Sequence, residues 1–280
     1  MIDAITKRFV PLISAMAGTD ECCGNPRCGE RLPRWRNGRT SYLRANGRWF
    51  CSPDCFERQI LSDCVRAAGV SSRTARIPLG MVLLSRGLVT EEQLRNALRE
   101  QQLTKERIGE FLERLGVVSR AQVTSALAAQ WQCPAVFHLT ELPPEAAAVP
   151  LNILRECRMV PILSARNTRM LHVAFDGPVD HSAAYAIGRM LDCRAEPCIA
   201  TSESLDEMLR QAAEQARATE VNFDQAPAAM IARTARNYAE ELSAGEMRYV
   251  SCGGFFWMCM QRPRGPVHLV FCGKGERNCE

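Results

Sequence analysis

The sequence predicts an α+β protein built from four consecutive parts. Three observations predict it. A gapless 24-residue stretch occurs twice, with helix-start and helix-stop residues at matching places. After the repeat, short β-like apolar runs alternate with helical patterns. Before it, cysteines crowd into a basic, turn-rich segment. The parts are a four-cysteine zinc-knuckle-like region and helix (1–70), a tandem helix-pair domain (72–131), a small α/β subdomain (132–215), and a linker, helix and terminal β-hairpin (216–280).

Composition supports a globular chain. Of 280 residues, 46% are apolar and 24% charged, which excludes disordered and collagen-like classes. Apolar runs such as Met81–Leu84 and Phe255–Met260 fall far short of the ~20 residues of a membrane span. Asp3, Lys7 and Arg8 interrupt the N-terminal apolar stretch, so it reads as an amphipathic lead segment rather than an export signal. Fourteen cysteines without such a signal point to a reducing cytoplasm and one metal site.

Cys23-x4-Cys28 and Cys51-x3-Cys55 form two close pairs, the arrangement a tetrahedral zinc ion takes. Gly24, Asn25 and Pro26 permit a tight turn in the first pair. The second leads into a helix at 56–69, whose start favours thiolate charge. Phe56, Ile60, Leu61, Cys64 and Val65 are expected on one side of that helix. Reduced buried cysteines and disulfides are the alternatives, and Cys22 competes with Cys23 as ligand. Four thiolates leave no open coordination position, so the metal is read as structural. Between the pairs, Arg31, Arg34, Arg36, Arg39, Arg44 and Arg48 face only Glu30. With Trp35, Tyr42 and Trp49 interleaved, they keep a nucleic-acid reading open beside that of a solvated basic loop, in which Trp49 and Phe50 pack on the knuckle.

A polar linker, Ser71–Arg76, precedes the repeat. Its copies are Pro78–Gln101 and Arg107–Gln130, with QLTKE between them. Each reads as a short apolar helix stopped at a C-cap glycine (Gly87, Gly116), then a second helix opened by a capping box. The boxes are Thr90 with Gln93 and Ser119 with Gln122. Leu94, Ala97, Leu98 and Gln101 share a face, as do Val123, Ala126, Leu127 and Gln130. Leu83, Leu84, Leu88 and Leu112 are core, while Leu79, Leu94 and Leu98 suit either a core or a ligand contact.

Further on, Met159–Ser164 and Met170–Phe175 read as strands joined by the turn Arg166–Thr168. A helix at 182–191, a strand at 195–200 and a helix capped by Ser202 or Ser204 follow. Arg217–Pro227 reads as a linker, 228–242 as a helix, and the runs around Pro263–Pro266 as a hairpin.

The repeat resembles the tandem motif of the MshEN domain, the N-terminal regulatory domain of type II secretion and type IV pilus assembly ATPases. That motif runs RLG-x2-two aliphatics-x2-G-two aliphatics-x4-L-x3-L-x2-Q, twice, with a five-residue spacer. The resemblance covers 76–131 and extends to about 212. It implies a cyclic di-GMP ligand held by two half-sites. Carried over, these are Leu79, Gly80, Leu94, Leu98 and Gln101, with Arg76 as nearby cation, and Arg107, Ile108, Gly109, Val123, Leu127 and Gln130. The arginine supplies a charge-assisted contact to guanine or phosphate. The RLG glycine is expected to let the ligand approach the backbone. Pro78 stands where the first arginine belongs, Glu113 at an aliphatic position, and Val123 at a leucine position.

No G-x4-G-K-[S/T] loop occurs, and Gly273–Lys274 lacks its context. The four histidines are dispersed, and Asp176, Asp180 and His181 read as turn and helix caps rather than an acid–base pair. The expectation is therefore a non-enzymatic, cytoplasmic signalling or adaptor protein. Its candidate partners are secretion or pilus ATPases and their platform proteins; a nucleic-acid-binding regulator and a ligand-free scaffold are the alternatives.

Overall fold

The structure is a computed structural model. It describes residues 22–32, 43–68, 76–104, 106–139, 141–165, 169–216, 218–224, 226–242, 246–252, 255–262 and 265–272. The lead segment, Arg34, Trp35, Arg36, Arg39, Tyr42, most of the 71–76 linker, the turn at 166–168, Pro263, Arg264 and the Gly273–Lys274 pair lie outside the described residues.

Strands β1 (Leu43–Ala45) and β2 (Arg48–Phe50) form a tight hairpin. Asn46 and Gly47 turn it at φ of 51° and 74°, the left-handed pair such hairpins need. Helix α1 (Pro53–Ala68) follows. The repeat forms α2 (Leu79–Ser85), α3 (Glu91–Thr104), α4 (Ile108–Arg114) and α5 (Arg120–Trp131). The α/β unit comprises β3 (Ala135–Val136), α6 (Leu151–Glu156), β4 (Met159–Ala165), β5 (Met170–Phe175), α7 (His181–Leu191), β6 (Arg194–Ala200) and α8 (Ser202–Gln215). Last come β7 (Thr219–Phe223), α9 (Ala228–Glu241), β8 (Met247–Cys252), β9 (Phe255–Met260) and β10 (Val267–Cys272).

Both repeat copies fold as their punctuation dictates. Gly87 and Gly116 stop α2 and α4 at φ of 66° and 68°. Each helix end closes with the same bond pair: Gly87 N–H to Leu84 O and Leu88 N–H to Leu83 O, mirrored by Gly116 to Glu113 and Val117 to Leu112. Both capping boxes form. Leu83 and Leu112 are fully buried, whereas Leu84 and Leu88 are only partly so.

The four-stranded sheet runs β3-β6-β5-β4, with β5 and β6 parallel and β4 antiparallel. Thr201 caps α8, taking a bond from Ser204 N–H at 3.3 Å; Ser202 is the first helical residue and Ser204 the donor, so neither is the cap. Asp180 caps α7. Asp176 does not cap; it is buried against Arg158.

The second sheet has six strands in the order β2-β1-β8-β9-β10-β7. It draws β1 and β2 from one end of the chain and the rest from the other. The C-terminal hairpin is present as β9–β10, but β8 flanks it on one side and β7 on the other. Residues 219–223 are therefore a strand rather than linker. β7 is a short edge strand that pairs in parallel with β10, so its own pattern carries little signal.

Period-two alternation covers both faces of this sheet. Phe256, Met258, Met260, Leu269 and Phe271 pack with Trp49, Phe50, Phe56 and Ile60 beneath α1 and α9. Val250, Trp257 and Val270 face the other way, into the α/β core. On α1, the stripe is Phe56, Ile60 and Cys64. Leu61 and Val65, expected with them, lie one step further round and are 36% and 60% exposed. No helix among the described residues is long and apolar enough to cross a membrane.

Candidate functional site

The first site is the helical cradle. The two copies interlock: α2 packs on α5, and α4 packs on α3. Pro78 and Arg107 are the N-caps of α2 and α4, with nearly the same backbone, φ/ψ of −57°/145° and −66°/135°. The repeat is thus structurally twofold even where its side chains differ.

The glycines serve this interlock. A Cβ on Gly80 would lie 2.5 Å from Leu94 Cδ1, and one on Gly109 would lie 2.8 Å from Val123 Cγ1. The missing side chains let α2 and α4 sit against the second helix of their own copy. Leu94 and Val123, themselves candidate ligand residues, lie against the two glycines. Leu79 Cδ2 also reaches the Gly109 position, at 3.5 Å, so Leu79 and Val123 share the contact between copies. Leu94 is buried, while Ile108 and Leu127 are partly buried. Leu98 is 46% exposed. Gln101 is partly buried at the end of its stripe. Gln130 donates from Nε2 to Ile77 O at 2.8 Å, tying the second copy to the strand entering the first.

The two cations have different surroundings. Arg76 lies with its guanidinium carbon 3.3 Å over the centre of the Trp131 ring. Burial lowers its pKa from the ordinary arginine value. Trp131 in turn stands 6.1 Å from the His181 ring. Arg107 instead points at the α/β unit. Its Nη1 is 3.9 Å from Asp176 Oδ1 and 3.8 Å from Glu110 Oε1. The Asp176 side chain is 1% exposed, and its Oδ1 has no hydrogen-bond partner. Its Oδ2 takes the Arg158 Nε proton at 3.1 Å, and Arg158 reaches on to Asp206 at 2.6 Å. That carboxylate, with Asp206 beside it, holds Arg158 above its ordinary pKa. Trp131 and Asp176 were not legible as site residues, because their partners lie 55 and 69 or fewer positions away with no shared motif.

The second site is the knuckle. Sγ atoms of Cys23, Cys28, Cys51 and Cys55 all lie within 4.8 Å of one another. Cys28 and Cys51 are 3.4 Å apart, and Cys51 and Cys55 are 3.5 Å apart. Tetrahedral thiolates around zinc sit roughly 3.8 Å apart, so this donor set fits the ion. Cys23 completes the set and exposed Cys22 stays outside it. Cys23 N–H bonds Glu30 O and Gly24 N–H bonds Trp49 O, which pins the first turn onto β2. Burial opposes ionisation of Cys55, but bonds from Cys51 and Ser52 outweigh it and bring its pKa down to about 7. Trp49 and Phe50 pack directly beneath, both nearly fully buried.

Residues 131–219 match the family model of the MshEN domain. The match starts where α5 ends and stops at the first residue of β7, so it covers the α/β unit, whereas the repeat rests on its own motif. The type IV pilus assembly ATPase PilB of Thermus thermophilus is 29% identical over 104 residues. That stretch is 36% of this chain and 12% of the ATPase, so the chain spans only a small part of its relative. Among solved structures, MshE with cdg is 29% identical at a TM-score of 0.42, covering 49% of this chain and 99% of that one. The N-terminal domain of XpsE is 20% identical at a TM-score of 0.38, covering 51% of this chain and 98% of that one.

Proposed function

We propose that this chain is a non-enzymatic adaptor of a type II secretion or type IV pilus system, with a helical cradle that binds cyclic di-GMP and a structural zinc in its terminal domain. The observation that carries the reading is the twofold interlock of the repeat, with Arg107 standing beside a buried carboxylate oxygen that has no hydrogen bond. A cyclic dinucleotide has two bases and two phosphates in a near-symmetric ring, and two matched helix pairs offer matched half-sites. Arg107 supplies charge-assisted bonds to a guanine edge or phosphate. The MshEN match over 131–219 and the repeat motif support the same ligand. The MshEN match, and a sequence that carries no G-x4-G-K-[S/T] loop, support the adaptor role.

Two measurements test it. Cyclic di-GMP at a hundred times its dissociation constant is expected to stabilise the protein by about 2.7 kcal/mol, with GTP inert. No change in melting at millimolar cyclic di-GMP contradicts ligand binding. Elemental analysis of the purified chain is expected to find one zinc, lost in Cys51→Ser; a metal-free, folded protein contradicts the zinc assignment.

A further inference from the structure

We propose that the two half-sites read their bases by different chemistry, so that the cradle accepts a hybrid cyclic purine dinucleotide, one guanine and one adenine, nearly as well as the symmetric di-guanine ligand. The inference deepens the reading above and rests on it.

Pro78 and Arg107 are structural equivalents, each the N-cap of a seven-residue helix with the same extended backbone. Arg107 carries a guanidinium, 43% exposed and only loosely held by Glu110 and Asp176 at 3.8 and 3.9 Å, that a ligand can draw to its half-site. The guanidinium edge is rich in donors and suits the paired acceptors O6 and N7 of guanine, which adenine does not offer. Pro78 has no side-chain donor and no N–H. The cation at the first half-site is Arg76, two residues earlier, and it is laid flat on the Trp131 indole at 3.3 Å. The neighbouring Gln130 amide gives one N–H to Ile77 O. The first half-site thus offers a stacking surface, a guanidinium backed by an indole, in place of an edge reader. Stacking recognises the π-face that every purine carries and ignores its exocyclic groups. With Arg76 stacked, changing the base here from guanine to adenine removes no bond to an arginine edge. Changing the base at Arg107 does.

The hybrid ligand has one productive orientation and the symmetric ligand has two, which alone makes it twofold weaker. Calorimetric titration of the zinc-loaded full chain is the test, with cyclic di-GMP, 3′,3′-cyclic GMP–AMP and cyclic di-AMP as titrants. The expected result is that the hybrid binds within about fivefold of cyclic di-GMP, while cyclic di-AMP is roughly ten- to a hundredfold weaker. Trp131→Leu is expected to weaken both guanine-containing ligands by about five- to a hundredfold. Pro78→Arg restores an edge reader and is expected to widen the gap between cyclic di-GMP and the hybrid beyond tenfold. Circular dichroism of each variant reports folding. Tight cyclic di-GMP binding with the hybrid more than fivefold weaker overturns this inference and leaves the ligand assignment standing. Failure of all three ligands overturns both.

Discussion

The helical cradle and the terminal domain are assembled in opposite ways. In the cradle, both capping boxes close over three residues, and the interlock joins copies that follow each other directly. In the terminal domain, Asn46 bonds Tyr249 in both directions across 203 residues, and Tyr249 Oη donates to Asp63 across 186. Closing so large a loop costs conformational entropy that local contacts do not face. The terminal domain offsets this cost with aromatic burial on the sheet and, in our reading, with a metal. The cradle needs neither. The four-cysteine cluster lies in the part of the fold that the chain order supports least.

The largest effect that can break this comparison is loss of the metal. Cys51→Ser, or chelation of the wild type, is expected to unfold the terminal domain, since structural zinc commonly supplies about 10 kcal/mol to small metal folds. Hydrogen exchange is expected to show amides of β8–β10 losing protection while those of α3 and α5 keep theirs. Simultaneous loss in all of these would show a single cooperative unit instead.

A pH response marks the same domain. His268 is buried on β10, takes the Trp257 Nε1 proton on Nδ1 at 3.0 Å, and leaves Nε2 without a partner. Burial lowers its pKa from 6.5 to about 4. The folded state therefore holds the imidazole neutral, and the unfolded chain takes up the proton first. Stability is full above about pH 6.5 and is lost as pH falls toward 4, by about 3 kcal/mol. Denaturant melts at several pH values are expected to show that slope in the wild type and a flatter one in His268→Gln.

Within the cradle, the twin glycines should not cost the same. The Cβ of Gly80→Ala meets the free end of Leu94, which can rotate away. The Cβ of Gly109→Ala meets Val123 Cγ1, fixed at χ1 by β-branching in a helix. Gly109→Ala is expected to cost about 1–3 kcal/mol and Gly80→Ala clearly less, as read by thermal melts. Equal costs would mean that the two copies pack alike. The smallest effect checks their symmetry directly: Thr90→Ala and Ser119→Ala are each expected to cost about 1 kcal/mol, equal within error.

The local devices were legible because their signals sit within one helix turn. Gly87, Gly116, Thr90 and Ser119 each announce a boundary, and the repeat doubles every signal. The knuckle was legible from cysteine spacing, because a tetrahedral ion demands it. The six-stranded sheet was not, because β1, β2 and β7 span 3, 3 and 5 residues and owe their pairing to partners far along the chain. Leu61 and Val65 misled because an apolar residue on an exposed flank looks the same in sequence as one on the buried stripe. Among the candidate ligand residues, Gly80 and Gly109 were legible as special, but their close packing on Leu94 and Val123 was not, since it depends on how each helix pair closes. Arg107's placement against Asp176 required the α/β unit to be folded beside the repeat.

The central claim is that the duplicated helix pair forms one dinucleotide cradle anchored by Arg107. Isothermal titration of the full chain with cyclic di-GMP, beside Arg107→Ala, tests it most directly. The account predicts saturable binding whose affinity falls roughly ten- to a hundredfold in the variant, with circular dichroism showing the variant folded. Absence of binding, or wild-type affinity in Arg107→Ala, would contradict it.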